Sequence, residues 1–316
     1  MQISEVSRLA AGIGNNVEKV IFGKKDEIGL IVIALLSGGH VLLDDIPGTG
    51  KTTLARALAR SISGDVTRIQ FTPDLLPSDI TGINFFDQKE SRFVFRRGPV
   101  FTNVLIADEI NRTTPRTQSA LLECMAEGQT TVDGVTYTLD DPFFVIATQN
   151  PIESQGTFPL PEAQTDRFFM KLRLGYPDHD NELRMMSDHG GESLLGTLSP
   201  VCAKSEIAEA RRAAENVYVS PEVADYILRI VAETRQNSRI TLGVSPRGTL
   251  ALQRAARTCA AVDGRDHVLP DDVKKVAVPV LAHRIIARTQ NTVRMSDTNE
   301  KLIEFILDSV PAPIGK

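Results

Sequence analysis

The stretch LLDDIPGTGKTTLARAL, residues 42–58, places glycines, a lysine and hydroxyl side chains in close succession. A cradle for phosphate needs successive backbone N–H groups turned inward, a cation for the terminal phosphates and a hydroxyl for magnesium. Gly48, Gly50, Lys51 and Thr52 supply all of these, in a loop that runs from Pro47 through Thr49 to Thr53. The template G-x-x-x-x-G-K-[ST] fits Gly50, Lys51 and Thr52 but asks for glycine where Asp45 stands. That first glycine relaxes the turn leaving a strand, a role that Pro47 and the backbone of Asp45 and Ile46 can fill by other geometry. Alone, G-x-G-K-T is also compatible with a chance glycine-rich turn.

A second group answers that objection. VLIADE runs four apolar residues into Asp108 and Glu109. A strand that delivers an aspartate to magnesium and a glutamate to an attacking water is the other half of an ATPase site. A solvated carboxylate at a strand end is the bland alternative, but two motifs in the right order argue against coincidence. FFVIATQN ends in Asn150, an amide where open α/β sheets bind ligands, able to orient the water or touch the γ-phosphate; a turn residue before Pro151 is the plain alternative. Arg167, in TDRFF, is by default a solvated or salt-bridged cation. Arg247 lies in the first turn of a helix, where a cation opposes the macrodipole unless an anionic ligand offsets the cost.

The elements that must hold these residues follow from the apolar pattern. Residues 41–46 read as a buried strand, and TTLARALARSI carries the helical spacing Leu54, Leu58, Ile62. TRIQF (67–71), NVLIADE (103–109) and FFVIATQN (143–150) are short unalternating runs that suit a parallel sheet covered on both faces. TQSALLECMAEG (117–128) reads as a helix ending at Gly128, and TTVDGVTYTL alternates around Asp133-Gly134, a two-residue hairpin signal. From about residue 177 helical patterns follow one another with no strand-like run. Ser220-Pro221 and Ser245-Pro246 mark two helix starts, and 189–200 is expected to be a loop. The expected architecture is therefore α/β: an αβα parallel-sheet core over 1–176, then an all-helical lid over 177–316.

Bulk properties narrow the function classes. The chain has 316 residues, 42% hydrophobic and 24% charged, the composition of an ordinary globular protein large enough for one sizeable unit and a smaller one. A net charge of −5 lacks the basic footprint of a protein that neutralises a phosphate backbone, so nucleic acid is not the first partner to propose. Cys124, Cys202 and Cys259 are far apart and odd in number, suggesting neither a disulfide framework nor a zinc site. IGLIVIALL (28–36) is far shorter than the roughly 20 residues that span a bilayer, and the N-terminus has no signal-peptide pattern. A cytoplasmic protein without membrane insertion is the expectation.

Together, LLDDIPGTGKTTLARAL, FTPDLLPSDITG, FRRGPVFTNVLIADEINR, TQSALLECMAEGQTTVDG, FFVIATQNPIESQGTFPLPEAQTDRF and LGVSPRG resemble the MoxR family of AAA+ ATPases, of the helix-2-insert clade. The resemblance runs from about residue 10 to 290. It implies a ring-forming, typically hexameric ATPase with ATP and Mg2+ as cofactors, which remodels or matures partner proteins alongside a separate protein bearing a von Willebrand factor A domain. It also implies Lys51 and Thr52 as the Walker A pair, Asp108 and Glu109 as the Walker B pair, Asn150 as sensor 1 and Arg247 as sensor 2 in cis. Arg167 would act in trans as an arginine finger, with Arg112 a second candidate for a subunit boundary. Phe22 and Gly23, in VIFGKK, would lie near the adenine, where Lys24 replaces a common glutamine. Residues 72–100 match the clade's insert, and 128–141 the hairpin before sensor 1. A nucleic-acid motor, supported by Arg92, Arg96 and Arg97, a nucleotide-gated binding scaffold and a metal-chelatase motor subunit are the competing readings.

Overall fold

A computed structural model describes residues 1–46, 48–150, 156–187, 194–288 and 295–313. The strands of its first part are β1 Val41–Asp44, β2 Val66–Gln70, β3 Gly82–Asp87, β4 Arg92–Arg97, β5 Val104–Asp108, β6 Gln129–Val132, β7 Val135–Thr138, β8 Phe144–Gln149 and β9 Met170–Leu172. Five of them form a parallel sheet in the order β2-β5-β8-β1-β9. β1 thus lies between two strands that come much later in the chain. The loop after it opens at a switch in strand order, where open α/β sheets bind their ligands.

Alternate residues of these strands feed two separate cores. Val41, Leu43, Val104, Ile106, Phe144 and Ile146 join one apolar cluster, whereas Leu42, Leu105, Ala107, Val145 and Ala147 join another. Both faces are therefore dry, which is why the strands read as continuous apolar runs. The first cluster continues through the helices Ile3–Glu18 and Lys25–Leu36 into Leu252, Val276 and Ile303 of the C-terminal part. The second is closed by the helix Pro115–Glu127, which ends at Gly128 with φ 62. The 72–100 segment supplies a short helix, Pro77–Thr81, and the β3–β4 hairpin; β6 and β7 pair around Asp133-Gly134.

Beyond residue 177 the helices are His179–Ser187, Lys204–Glu215, Pro221–Gln236, Pro246–Val262, Pro270–Leu281 and Met295–Ser309. Ser220 and Ser245 cap two of them, accepting hydrogen bonds from the backbone N of Val223 (3.3 Å) and Gly248 (3.2 Å). The part is not wholly helical: β10 Ile240–Leu242 pairs antiparallel with β11 Ile286–Ala287. Runs of three and two residues carry no readable period, so sequence periodicity passes over them. Of the expected loop at 189–200, residues 189–193 lie outside the described residues and 194–195 form a helical turn.

Arg284 joins the two parts. Its buried guanidinium donates to Asp166 Oδ1 (2.7 Å) and to the backbone oxygens of Asp166 (3.1 Å), Phe169 (3.1 Å) and Phe168 (2.5 Å), with a further bond to Val280 O. Burial pushes the Arg284 pKa down to about 10, while the Asp166 carboxylate pulls it back up. Removing one member of such a pair leaves an uncompensated buried charge. Arg284→Met should lower stability by about 3 kcal/mol, read from the urea unfolding midpoint; an unchanged midpoint would remove Arg284 from this role.

Candidate nucleotide site

The register of the sheet aligns the strand ends. Asp44 lies opposite Gln149, and Gln70 opposite Asp108. Above them a cleft of about 360 Å³ is lined by Asp45, Gly48, Gly50, Lys51, Thr52, Thr53, Arg68, Gln70, Asp108, Glu109, Thr148, Gln149 and Asn150. Gly48 (φ 85) and Gly50 (φ 83) take the left-handed conformation that the turn requires. Gly50 is the N-cap of the helix Lys51–Ser61 and brings no capping side chain, so the first N–H groups of that helix are left for an anion. Thr49 Oγ1 donates to Ile46 O at 3.4 Å. Pro47 lies outside the described residues.

Lys51 folds back over its own loop, donating from Nζ to Asp45 O (3.2 Å) and Ile46 O (2.6 Å). Burial lowers its pKa from the ordinary lysine value, with the carboxylates of Asp45, Asp108 and Glu109 opposing the shift.

The two carboxylates at the end of β5 are held differently. Asp108 Oδ2 accepts from Arg68 Nε at 2.6 Å, and Oδ1 accepts from Thr148 Oγ1 at 3.2 Å. Glu109 sits in the left-handed region at φ 57, its N–H donating to Thr148 Oγ1 at 2.9 Å. Its Oε2 accepts from Gln70 Nε2 at 2.9 Å and pairs with Arg112 Nε at 3.1 Å. Asp108 and the Thr52 hydroxyl are hard oxygen donors of the kind that hold magnesium, so the donor set fits that ion.

The VIFG segment borders the loop. Ile21 Cδ1 lies 3.7 Å from where a Cβ on Gly50 would sit. Phe22 is buried beneath the guanidinium of Arg184, 4.9 Å from the ring centroid, and a Cβ on Gly23 would meet the Asn181 amide. Both covering residues belong to the helix His179–Ser187. Lys24 reaches over this segment to Tyr176 O at 2.9 Å.

The predicted Arg167 and Arg247 are not brought to this cleft. Arg167 and Arg247 line a second one of about 420 Å³, with Gly38, Met125, Arg254 and Arg284 among its walls. Arg247 NH1 stands 3.8 Å from Asp166 Oδ2, so the expected cis contact of Arg247 with the phosphate site is not made in this arrangement. Its helix leaves Ser245, bonded to the same Asp166 carboxylate at 3.2 Å, and turns its first residues toward this second cleft. Arg167 is exposed, with no side-chain ion pair or hydrogen bond among the described residues. Arg112, the second candidate for a subunit boundary, pairs with Glu109 of its own chain.

Comparison with known proteins agrees with this geometry. Residues 40–170 match the family model described as ATPase family associated with various cellular activities (AAA), and 232–304 match an AAA lid domain. The chain is 39% identical to Chaperone MoxR1 of Mycobacterium tuberculosis over 94% of its own length and 80% of that protein's. This chain belongs to the MoxR family of AAA+ ATPases. The uncharacterized protein YeaC of Bacillus subtilis is 48% identical over 95% of this chain and 94% of that one. The crystal structure of a candidate ATPase from Cytophaga hutchinsonii superposes with a TM-score of 0.88 at 38% identity, covering 98% and 96% of the two chains.

Sequence reasoning missed Arg68, Gln70, Thr148 and Arg254. Arg68 and Gln70 alternate in TRIQF, so both point to one face, and a polar pair at period two in the edge strand β2 was the available signal. Arg254 follows Arg247 by two helical turns, on the same face of the helix. Thr148 bridges both carboxylate positions with one hydroxyl. Thr148→Val should leave the Glu109 N–H unpaired, costing about 1–2 kcal/mol of stability, and should slow ATP turnover at least severalfold. Native turnover in that variant, measured as phosphate release, would show that the bridge is dispensable.

Proposed function

We propose that this MoxR-family protein hydrolyses ATP with Mg2+ in a homo-oligomeric ring, typically a hexamer, and uses the resulting motion to remodel, mature or activate a partner protein. The observation that carries this reading is the convergence of Lys51, Thr52, Asp108, Glu109 and Asn150 on one cleft at the carboxyl edge of the sheet. Phosphoryl transfer asks the protein mainly for positioning and charge stabilisation, which is what this cleft offers.

In this reading the N–H groups of Gly48 to Thr53 and the Lys51 ammonium hold the phosphates, and Phe22 and Gly23 border the adenine. The Thr52 hydroxyl and the Asp108 carboxylate would hold magnesium, which supplies charge neutralisation for the β- and γ-phosphates. Glu109 takes the proton of the attacking water, once released from Gln70 and Arg112. Asn150 orients that water. Arg167 and Arg247 share a cleft apart from the phosphates of their own chain, which supports both of them, with Arg254 beside them, meeting a neighbouring subunit's γ-phosphate.

The remodelling role is supported by the chaperone relative, and a separate protein with a von Willebrand factor A domain is the proposed partner. No helix among the described residues is long and apolar enough to cross a membrane; with this, a cytoplasmic location is proposed.

Glu109→Gln keeps the hydrogen-bonding shape but removes the base. It should bind ATP as the native protein does and lose at least about 100-fold in turnover; undiminished phosphate release would overturn the assignment. Arg167→Ala should lose on the order of 1,000-fold in the assembled ring. Mixing it with Glu109→Gln subunits should restore part of the activity, because some sites would then combine a native Glu109 with a native Arg167. If every mixing ratio stays inactive while rings form, the trans role fails.

A further inference from the structure

Asp45 stands where the phosphate-loop template has glycine, and its side chain is buried, with 6% of the residue exposed. Oδ1 accepts from the N–H of Ile46 at 2.9 Å. Oδ2 accepts from the N–H groups of Leu174 and Gly175, both at 3.0 Å. One carboxylate therefore grips the first turn of the phosphate loop with one oxygen and the segment leaving β9 with the other. Charge-assisted bonds of this kind are shorter and stronger than neutral ones, and they suit a mechanical connection.

The peptide between Asp45 and Ile46 is also held from the ligand side, because Lys51 Nζ donates to its own carbonyl, Asp45 O, and to the next one, Ile46 O. A phosphate in the cradle competes for that ammonium. Once Lys51 turns to the phosphate, the Asp45 carbonyl loses the Lys51 donor and the Ile46 carbonyl keeps only the long bond from Thr49 Oγ1, so the peptide is freer to tilt. The carboxylate attached to it would then carry the tilt to Leu174 and Gly175. Gly175 takes the left-handed conformation at φ 63, and the helix that follows, His179–Ser187, covers Phe22 and Gly23. A parallel connection runs from Asp44, bound by Lys171 at 2.8 Å, to Arg173 at 3.9 Å and on to Glu300 of the helix Met295–Ser309 at 3.7 Å.

We propose that Asp45 is a positioning residue that couples occupancy of the phosphate loop to the linker at Leu174 and Gly175, and through it to the helices beyond. The proposal rests on the reading of the cleft as an ATP site. A glycine at position 45 would satisfy the loop template while leaving the two linker amides without their acceptor. The carboxylate is thus explained by transmission of the nucleotide state rather than by nucleotide binding.

The test uses the full chain with Asp45→Gly and the near-isosteric Asp45→Asn, which offers one acceptor oxygen and keeps the experiment informative if the glycine variant folds poorly. Three quantities are read: the Kd for ADP and for a non-hydrolysable ATP analogue, kcat against KM, and amide hydrogen exchange across residues 173–178 with and without nucleotide. In the native protein, exchange at 174 and 175 should be slow and should change on adding nucleotide. Asp45→Gly should bind nucleotide within about threefold of native, exchange rapidly at those amides regardless of nucleotide, and lose about tenfold in kcat with little change in KM, the scale of an ordinary coupling energy. Asp45→Asn should fall between the two. Native kcat together with a persisting nucleotide response at 174 and 175 in Asp45→Gly would overturn the coupling role, as would loss of nucleotide binding in both variants at native melting temperature. A native chain that binds no nucleotide would overturn the ATP-site reading as well, which separates the two failures.

Discussion

Four carboxylates, those of Asp44, Asp45, Asp108 and Glu109, crowd the ends of two strands separated only by β8. Like charges this close, three of them on residues less than a tenth exposed, are tolerable only if each is matched within the fold. Each is matched by a different device. Asp44 meets Lys171 and the Gln149 amide, and Asp45 meets three backbone N–H groups. Asp108 meets the Arg68 guanidinium, and Glu109 meets Gln70 and Arg112. The matching partners come from β2, β8, β9 and the turn after β5, so neutralising these acids also fixes how the strand ends sit against one another.

Under the proposed ATP-site reading, the same arrangement would receive a polyanion with a divalent cation. Arg68 supplies at Asp108 the positive charge that magnesium would bring, and Lys51 rests on carbonyls that hold it only by hydrogen bonds. Under that reading, a bound nucleotide with its metal would offer each group a competing partner. Glu109, clamped by an amide and a guanidinium, is likewise held back until its neighbours move.

A second set of cations lies elsewhere. Arg167, Arg247 and Arg254 border a cleft whose floor includes Gly38 and Phe169, and Arg284 ties the Asp166 stretch to the C-terminal part beside it. Because the first apolar cluster passes without interruption from the N-terminal helices into the C-terminal ones, this side of the sheet is covered by the chain's own later part. The proposed phosphate cradle and these arginines lie in separate clefts, the layout that sharing a site between copies would need. Under the ring reading, each nucleotide would lie between the cradle of one subunit and the arginines of the next.

Much of this was legible in the sequence. The order of glycine loop, DE strand and amide-terminated strand requires only that unalternating apolar runs make a buried parallel sheet, and the register then brings Lys51, Thr52, Asp108, Glu109 and Asn150 together. Local signals also placed the hairpin at Asp133-Gly134, the helix end at Gly128 and the capping serines, since these depend on backbone preferences of a few residues. What the sequence could not carry was which long-range partner each polar side chain would choose. The destination of Arg247 depends on how the C-terminal helices dock, and the meaning of Asp45 depends on two amides about 130 residues away. Spacing along the chain decided which groups are present at the strand ends; only the tertiary structure decided what neutralises them, because a buried charge must find its partner in space rather than in sequence.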